Sequence, residues 1–490
     1  MRHSLLLVFA LVGIACASGT PTTIAAADDL QTQSPTTTVQ SFIAVEGADF
    51  MARLDAAQAR ARSRQTPYWS AYTFDVRPGV AIDPAIRDFN GTINTMGDTT
   101  VFVGTTPDGR TVETRSLAIF LLRDPASNQI TRMEVYNLER KREYSGYPVY
   151  WLGRANNEES LNYLRAIAAA TPLDALSERA VLGIALHDDV RVAGMLKNFV
   201  SSSPNQRIRS SSVYWLGQVG GEQTFLASLV RNEAEDMKLR RSAAHALGQS
   251  RGAINTLQEL YRSVKEVELR RSVISAAGNS VDEQAAFTFL LGVAKQDVDG
   301  ESRRVAVRQL GHFKREDAAE ELMKFARTDA NVDVRKSAIR ALSERGEAAV
   351  DGLLRLYDSE TVTDVKRAVL QSLSEIKSTR VEDKLFEIAR GNDNVDVRRQ
   401  AIRLLGERVG KRSFEFLSAT AQSTDANAEV QVQAVRAIGE RKAEESVPLL
   451  IKIAKTHPNQ MVRKQAIRSL GESGDPRAVE FFREVLTKEN

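Results

Sequence analysis

Four histidines are the residues of this chain best suited to acid–base or metal chemistry, and their spacing favours neither. His187, His245, His312 and His457 are scattered, and none lies in an HExxH motif or another pair with metal-ligand spacing. The segment Gly410-Lys411-Arg412-Ser413 has an arginine where a phosphate-binding loop needs serine or threonine. No motif marks a serine nucleophile, so only a Ser-His-Asp set assembled by folding stays open. We predict no catalytic residue, no metal site and no cofactor.

The composition excludes several classes of protein. A single cysteine rules out a disulfide framework, a CxxC redox site and cysteine-based zinc sites. With 66 basic and 63 acidic side chains, the formal net charge of +3 gives no argument for a protein that coats nucleic acid. A length of 490 residues with 42% hydrophobic residues is typical of a globular chain with more than one ordinary domain. Any electrostatic function therefore depends on where the charges lie.

The first 27 residues have the features of a secretory signal. Arg2 precedes the apolar run Leu5–Ala15, and small residues fit cleavage after Ala17 or after Ala27. An N-terminal membrane anchor is the alternative, but the run is too short to span a bilayer. We therefore predict a signal peptide over residues 1–27 and export to the periplasm or the outside of the cell.

Two further expectations concern the region around this signal. The run Gly13-Ile14-Ala15-Cys16 resembles the lipid-modified cysteine site of bacterial lipoproteins, although that family usually has a larger aliphatic residue where Gly13 stands. A lipid anchor at Cys16 is thus one prediction. Residues 28–45 are rich in Thr, Ser and Gln and are predicted to form a flexible linker. No later stretch is long and apolar enough to cross a membrane.

Residues 46–143 are predicted to form a small α+β module. The apolar spacing in Asp49–Arg64 fits one amphipathic helix. Two runs rich in Val, Phe, Ile and Thr, Val101–Thr106 and Thr111–Arg123, flank the turn Pro107-Asp108-Gly109, so we expect a hairpin there. Nothing in this module suggests catalysis.

A repeated phrase dominates the remainder. Val149-Tyr150-Trp151-Leu152-Gly153 recurs intact as Val213–Gly217, and degraded copies follow at a regular interval down to the C-terminus. Such a period predicts stacked supersecondary units, about eleven of roughly 32 residues, over residues 144–490.

Each unit is predicted to be a pair of helices. Counting positions from zero at Val334 in one unit, apolar residues at positions 0, 4, 5 and 8 lie on one side of a helix. Position 4 is Ala or Val in nearly every copy, which lets neighbouring helices approach closely. Gly or Ser at position 9 is expected to end this helix, and another helix such as Ala318–Arg327 follows.

The phrase V-R-x-x-A-x-x-x-L-G, with Gly474-Asp475-Pro476 after it, resembles HEAT repeats, most closely the short type first known from phycobilisome lyases. The resemblance covers positions 144–490, which is most of the chain. It implies a mostly α fold, in which a right-handed α-solenoid of HEAT-like helix pairs follows the small α+β module. HEAT repeats recur in scaffolds, lyases and hydroxylases, so the resemblance implies no activity. The iron-binding hydroxylases use His-Glu pairs, and no histidine here precedes a glutamate.

Position 1 is basic in eight of nine copies, although it lies within the apolar side of the helix. A charge there needs an acceptor, and we expect it in Asp333, Asp364 and Asp396 just before the helices, with Asp329 and Asp425 one turn earlier. We interpret these cations as a structural ion-pair ladder between repeats; an anion-binding ladder is the alternative. The ladder residues are Arg209, Arg240, Arg270, Arg303, Arg335, Lys366, Arg398 and Arg463.

Positions 2 and 6 lie opposite the core and define a basic row. Ten of these twelve positions are basic in the last six units, against two of six in the preceding three. HEAT-like solenoids usually line their concave face with this helix, which would place the row in the groove. The candidate binding residues are Arg304, Arg308, Lys336, Arg340, Arg399, Arg403, Arg436, Lys464 and Arg468.

A row of acidic residues qualifies this picture. Position 10 lies four residues after position 6, and its carboxylates are predicted to neutralise part of the basic row. Two interpretations stay open: a solvated face of salt bridges, or a surface for an acidic partner. These acids are Glu344, Glu375, Glu407, Glu440 and Glu472.

The functional prediction is an exported, non-enzymatic scaffold that binds an acidic protein segment through the groove. The strongest candidates for this contact are the five position-6 arginines. An enzyme of the lyase-like HEAT family, or with chemistry in the N-terminal module, is the alternative. Nucleic acid is not the expected partner, because export and the acidic row both count against it. The five arginines are Arg308, Arg340, Arg403, Arg436 and Arg468.

Overall fold

The computed structural model describes residues 42–83, 90–96, 99–106, 110, 112–170, 174–408, 410–423 and 427–488. The predicted signal peptide, Cys16, most of the predicted linker and the Pro107-Asp108-Gly109 turn lie outside these residues. No helix within them is long and apolar enough to cross a membrane.

The N-terminal module contains two sheets. The larger has the order β1-β8-β2-β6-β7, in which β8 runs parallel to β1 and β2, and β6 runs antiparallel to β2 and β7. The smaller is antiparallel, with the order β3-β5-β4. The strands are β1 (Ile43–Ala44), β2 (Tyr68–Thr73), β3 (Val80–Ile82), β4 (Asn90–Met96), β5 (Thr99–Thr105), β6 (Leu117–Arg123), β7 (Ile130–Asn137) and β8 (Val149–Arg154).

The predicted amphipathic helix is present as α1 (Phe50–Arg62), capped by the Asp49 carboxylate. The predicted hairpin is present only over a few residues, where the Val112 amide donates to the Gly104 carbonyl at 3.1 Å. The chain reverses there, because the Thr106 amide also donates to the Arg110 carbonyl at 2.8 Å. However, the flanking strands β5 and β6 belong to different sheets, since each pairs with other strands. The end of the predicted linker also needs correction, because Ile43–Ala44 pairs with β8 and Val45 is buried.

The predicted start of the solenoid at residue 144 is wrong as well. The phrase Val149–Gly153 lies in the sheet strand β8, whereas the identical phrase at Val213–Gly217 is helical. Pro148 explains the difference, because in repeat register it would stand at position 4, inside the helix, and would break it. The sheet therefore extends to Arg154.

The helical array begins after this strand. In the described part of the chain it contains ten helix pairs, from α2–α3 to α20–α21, and a final single helix, instead of about eleven complete units. The helices are α2 (Asn157–Ala170), α3 (Asp174–Ala185), α4 (Arg191–Ser202), α5 (Gln206–Val219), α6 (Gln223–Arg231), α7 (Met237–Gln249), α8 (Ile254–Ser263), α9 (Val267–Ala277), α10 (Glu283–Gln296), α11 (Gly300–Leu310), α12 (Glu316–Thr328), α13 (Val332–Ser343), α14 (Val350–Ser359), α15 (Thr363–Ser374), α16 (Thr379–Arg390), α17 (Val395–Gly406), α18 (Lys411–Gln422), α19 (Ala428–Gly439), α20 (Ala443–Thr456), α21 (Gln460–Ser473) and α22 (Pro476–Lys488).

The odd-numbered helices from α5 to α21 carry the repeated phrase and stack directly on one another. Their position-9 glycines permit this approach: a Cβ on Gly217 would lie 2.6 Å from the Ala246 carbonyl oxygen of α7. Gly311 meets Ala341 of α13 in the same way. As predicted, position 9 also lies at the end of most of these helices: α9 and α11 end one residue before Gly278 and Gly311, whereas α5 continues past Gly217. Between the even-numbered helices the packing leaves clefts, for example between α16 and α18.

Short polar residues start most of these stacked helices. An Asn or Asp three residues before position 0 accepts hydrogen bonds from backbone amides of the first turn, which satisfies donors that have no partner within the helix. The caps are Asn205, Asp236, Asp299, Asn331, Asn394, Asn427 and Asn459.

The sheet closes the first end of the array. The Arg77 guanidinium donates to the Gln218 carbonyl at 2.8 Å, near the end of α5. Buried Glu134 of β7 lies 3.2 Å from the guanidinium of Arg179 in α3. Backbone bonds add to the junction, since the Arg77 amide donates to the Leu186 carbonyl at 2.9 Å. The apolar residues of sheet and array form one continuous core.

Candidate functional site

The position-1 cations contact the repeat that follows. In six copies the cation pairs with a carboxylate that lies in or beside the link between the two helices of the next unit. These contacts connect neighbouring repeats. The pairs are Arg209–Glu235 at 2.5 Å, Arg240–Glu266 at 2.8 Å, Arg270–Asp297 at 2.9 Å, Arg303–Asp329 at 3.0 Å, Lys366–Asp393 at 2.9 Å and Arg335–Glu360.

Several of these arginines also donate to backbone carbonyls of their own repeat. Arg240 Nε lies 2.9 Å from the Val230 carbonyl oxygen, close to the end of α6. Arg398 contacts the Ala389 carbonyl, and Arg463 donates to the His457 carbonyl at 2.7 Å. The last carbonyls of a helix have no hydrogen-bond partner within it. These cations donate to such carbonyls, which would otherwise be left without a partner.

The predicted acceptors of this ladder need correction. Asp333, Asp364 and Asp396 lie next to position-2 cations of their own helices instead, three residues on. Asp329 does accept a ladder cation, but that cation is Arg303 of the preceding repeat. The acceptors belong to the next repeat because position 1 faces it. Asp425 lies outside the described residues.

The basic row lies on the solvent side of the odd-numbered helices α11 to α21. Arg304 and Arg308 of α11 and Lys336 and Arg340 of α13 line one open cleft of about 580 Å³. Acidic side chains line the same cleft, including Glu344. The structure thus brings together four of the nine predicted binding residues, while the other five follow on α17, α19 and α21.

Five cations of the row have acidic partners close by. The hydrogen bond from Arg304 lowers the pKa of Glu301. Position 10 supplies the partner in two cases, at α17 and α21, as the sequence predicted. The pairs are Arg304–Glu301 at 2.6 Å, Lys336–Asp333 at 3.7 Å, Arg399–Glu429 at 3.3 Å, Arg468–Glu472 at 3.0 Å and Arg403–Glu407.

The other four cations are exposed and lie beyond ion-pair distance of any carboxylate in the described chain. They are Arg308, Arg340, Arg436 and Lys464. They form two clusters, one on α11 and α13 and one on α19 and α21. On the helices between them, Gln371 accepts a hydrogen bond from Arg403 at 2.6 Å. The side chains of that part of the row therefore bond to each other. We call these four residues the open cations.

A Ser-His pair is the arrangement closest to catalytic chemistry, and it is sealed in the core. His187 Nε2 lies 2.8 Å from Ser160 Oγ, which lies 3.1 Å from Tyr72 Oη. The other ring nitrogen donates to the Gly183 carbonyl at 2.7 Å, so no carboxylate orients the ring. Burial lowers the pKa of His187 to about 4, despite that hydrogen bond. Ser160 and His187 are 0% and 2% exposed, so no substrate can reach them.

No group of three or more His, Cys, Asp or Glu in the described ranges could hold a metal ion. The largest of the clefts described, about 820 Å³, lies between α2 and α4 and is mostly apolar, with Met195, Phe199 and Ile208 among its lining residues. It contains no predicted site residue.

The family model described as HEAT repeats matches residues 287–374 and 415–490. These two segments are HEAT repeats. These HEAT-repeat segments include α11 to α15 and α19 to α21, which carry all four open cations. No curated protein matches the sequence.

Several solved structures are similar to this chain at low identity. Human deoxyhypusine hydroxylase is 15% identical, with 65% of this chain and 96% of that chain covered and a TM-score of 0.26. The complex of CpcE and CpcF of phycocyanin lyase from Nostoc sp. PCC7120 is 19% identical, with coverage of 51% and 93% and a TM-score of 0.25. The karyopherin Kap121p bound to the C-terminus of the phosphatase Cdc14p is 15% identical, with coverage of 65% and 42% and a TM-score of 0.37.

Proposed function

We propose that this chain is an exported, non-enzymatic scaffold that binds an acidic segment of another protein through the open cations of the basic row. The observation that carries the proposal is the set of open cations. Arg308, Arg340, Arg436 and Lys464 stay exposed in a chain whose other repeated cations are mostly held by carboxylates or carbonyls. Exposed charges of one sign attract a partner of the opposite sign and orient it.

The two clusters define the shape of the partner segment. Arg340 and Arg436 lie three repeats apart, and packed helices are about 8–10 Å apart, so the clusters are separated by roughly 30 Å. An extended chain spans about 3.3–3.6 Å per residue, so about nine residues cover that distance. The preferred partner is therefore an extended segment with two acidic clusters about nine residues apart.

The place of action belongs to the same proposal. The signal features of residues 1–27 support export to the periplasm or the outside of the cell, and Cys16 is the candidate site for a lipid anchor. Cell fractionation of the tagged full chain tests this: we expect it outside the cytoplasm, and a cytoplasmic product would contradict export.

Affinity capture tests the binding surface. One variant replaces the four open cations by Ala. A matched control removes the same charge from cations that have acidic partners, by replacing Arg304, Arg399, Arg403 and Arg367, which lies 3.9 Å from Asp364, by Ala. We expect the wild type to capture a partner from a mixture of exported proteins. The affinity of the first variant for that partner should be at least about tenfold lower, and the affinity of the control should be close to that of the wild type. Equal losses of affinity in both variants, or an affinity that does not change with salt concentration, would contradict the proposal.

No described feature favours an enzyme to the same degree, because the Ser160–His187 pair is closed to substrate. The enzyme alternative would need chemistry in one of the open clefts.

A further inference from the structure

The cleft between α2 and α4, the first helices of the first two pairs, has the size and lining of a small-molecule site. Its volume of about 820 Å³ is within the range of such sites. The buried side chains of Phe199 and Ile208 line it, together with Met195. Methionine adapts its shape to an apolar neighbour. The cleft therefore offers apolar surface to a ligand.

Small residues keep the cleft wide. Ala166 and Ala169 line it from α2, and Gly194 lines it from α4. A Cβ on Gly194 would meet no atom within 4 Å, so no neighbouring helix requires a glycine there. Glycine destabilises a helix interior relative to alanine. The missing side chain thus leaves space in the cleft that packing within the protein does not use.

The charged groups of the cleft have one sign. Arg165 and Arg191 are among its described lining residues, and no carboxylate is. Arg191 is already held, because its guanidinium lies 2.8 Å from the Asp189 carboxylate. Arg165 is exposed and lies beyond ion-pair distance of any carboxylate in the described chain. Among the described lining residues, Arg165 is therefore the cation available to a ligand.

A second hydrogen-bond donor lies beside this cation. Asn162 lines the cleft and precedes Arg165 by three residues on α2, so the two side chains are neighbours on one face of the helix. A guanidinium and an amide NH₂ both donate hydrogen bonds. One carboxylate can accept from both.

We propose that this cleft binds an amphipathic carboxylic acid. Its carboxylate pairs with Arg165 and accepts from Asn162, and its aliphatic chain lies against the apolar lining. Charge-assisted hydrogen bonds between a guanidinium and a carboxylate are strong, and burial of the aliphatic chain adds hydrophobic stabilisation. One available cation matches one carboxylate, whereas the acidic segment of the proposed function needs several cations. The inference does not depend on that function, because the open cations lie on α11, α13, α19 and α21.

Calorimetric titration of the full chain with decanoate and with decanol tests the role of the charge. The two probes have the same aliphatic chain, but only decanoate is charged. We expect the wild type to bind one decanoate per chain and to bind decanol at least about tenfold more weakly. Arg165→Gln should weaken decanoate at least about tenfold and leave decanol unchanged. Equal affinity of the wild type for both probes, or of wild type and Arg165→Gln for decanoate, would overturn the proposal.

A variant that fills the cleft tests the position of the site. Gly194→Leu should abolish binding of both probes with an unchanged helical CD spectrum, because its side chain enters open space. The matched control Gly292→Leu alters another helical glycine whose Cβ would meet no atom within 4 Å, in α10, and should bind decanoate like the wild type. Decanoate binding by Gly194→Leu as tight as by the wild type would overturn the proposal. So would a wild type that binds no decanoate, which is the result expected if a helix of another protein occupies the cleft instead.

Discussion

At the scale of single residues, cations only one position apart in the repeat pair with carboxylates in different repeats. Arg303 at position 1 faces the next repeat and pairs with Asp329, while Arg304 at position 2 turns to Glu301 of its own helix. The periodicity of the sequence predicted both rows. It did not predict which carboxylate each cation reaches, because that depends on how the next repeat stacks. The sequence consequently predicted nine candidate binding residues and did not distinguish the four open cations from the paired ones.

The position-9 glycines yield a test at this scale. Gly217→Ala places a methyl group against the Ala246 carbonyl of α7, so the substitution should destabilise the protein by about 1–3 kcal/mol. Gly292→Ala is the matched control: it also lies inside a helix, but its Cβ meets no atom within 4 Å. Alanine favours helices over glycine, so this control should stabilise by up to about 1 kcal/mol.

Urea unfolding followed by CD measures both glycine variants. We expect opposite signs for the two changes in the free energy of unfolding. Stabilisation by Gly217→Ala would show that the helices do not approach as closely as described.

At the scale of elements, the phrase Val-Tyr-Trp-Leu-Gly is a strand at 149–153 and a helix at 213–217. The sequence period alone predicts a helix for both copies. Two residues outside the phrase decide the outcome: Pro148 would interrupt the first copy, and Asn205 caps the helix of the second. Both signals were in the sequence. Strand pairing with β1 and β2, which the sequence does not display, then fixes β8 in the sheet.

The junction between the sheet and the first helices should weaken in acid. His187 is buried with a pKa of about 4, below its ordinary value of 6.5. Between these values the unfolded chain binds a proton that the folded chain does not, so the free energy of unfolding falls as pH is lowered from 6.5 to 4. Above pH 6.5 the imidazole is neutral in both states and no stability is lost. At pH 4 the loss in the free energy of unfolding reaches about 3 kcal/mol.

The variant His187→Gln removes this titration. Urea unfolding at pH 7.5 and 4.5 should show a smaller loss of stability for His187→Gln than for the wild type, whereas His312→Gln, at an exposed site, should behave like the wild type. Equal acid losses in wild type and His187→Gln would argue against a neutral, buried imidazole.

At the scale of the whole molecule, the repeat architecture was predictable because one sequence period imposes the same helix pair on every unit. Its first end was not, because a sheet replaces a repeat there and breaks the period. The interior repeats build the basic row.

The most direct test of the central claim is the affinity of a labelled peptide with two glutamate triplets separated by about nine neutral residues. By fluorescence anisotropy at low salt, we expect the wild type to bind it at least about tenfold more tightly than Arg308→Ala/Arg340→Ala/Arg436→Ala/Lys464→Ala, and salt to weaken the binding. We also expect it to bind more tightly than a peptide of equal composition with all glutamates adjacent. Equal affinity of wild type and variant for the two-cluster peptide would contradict the account.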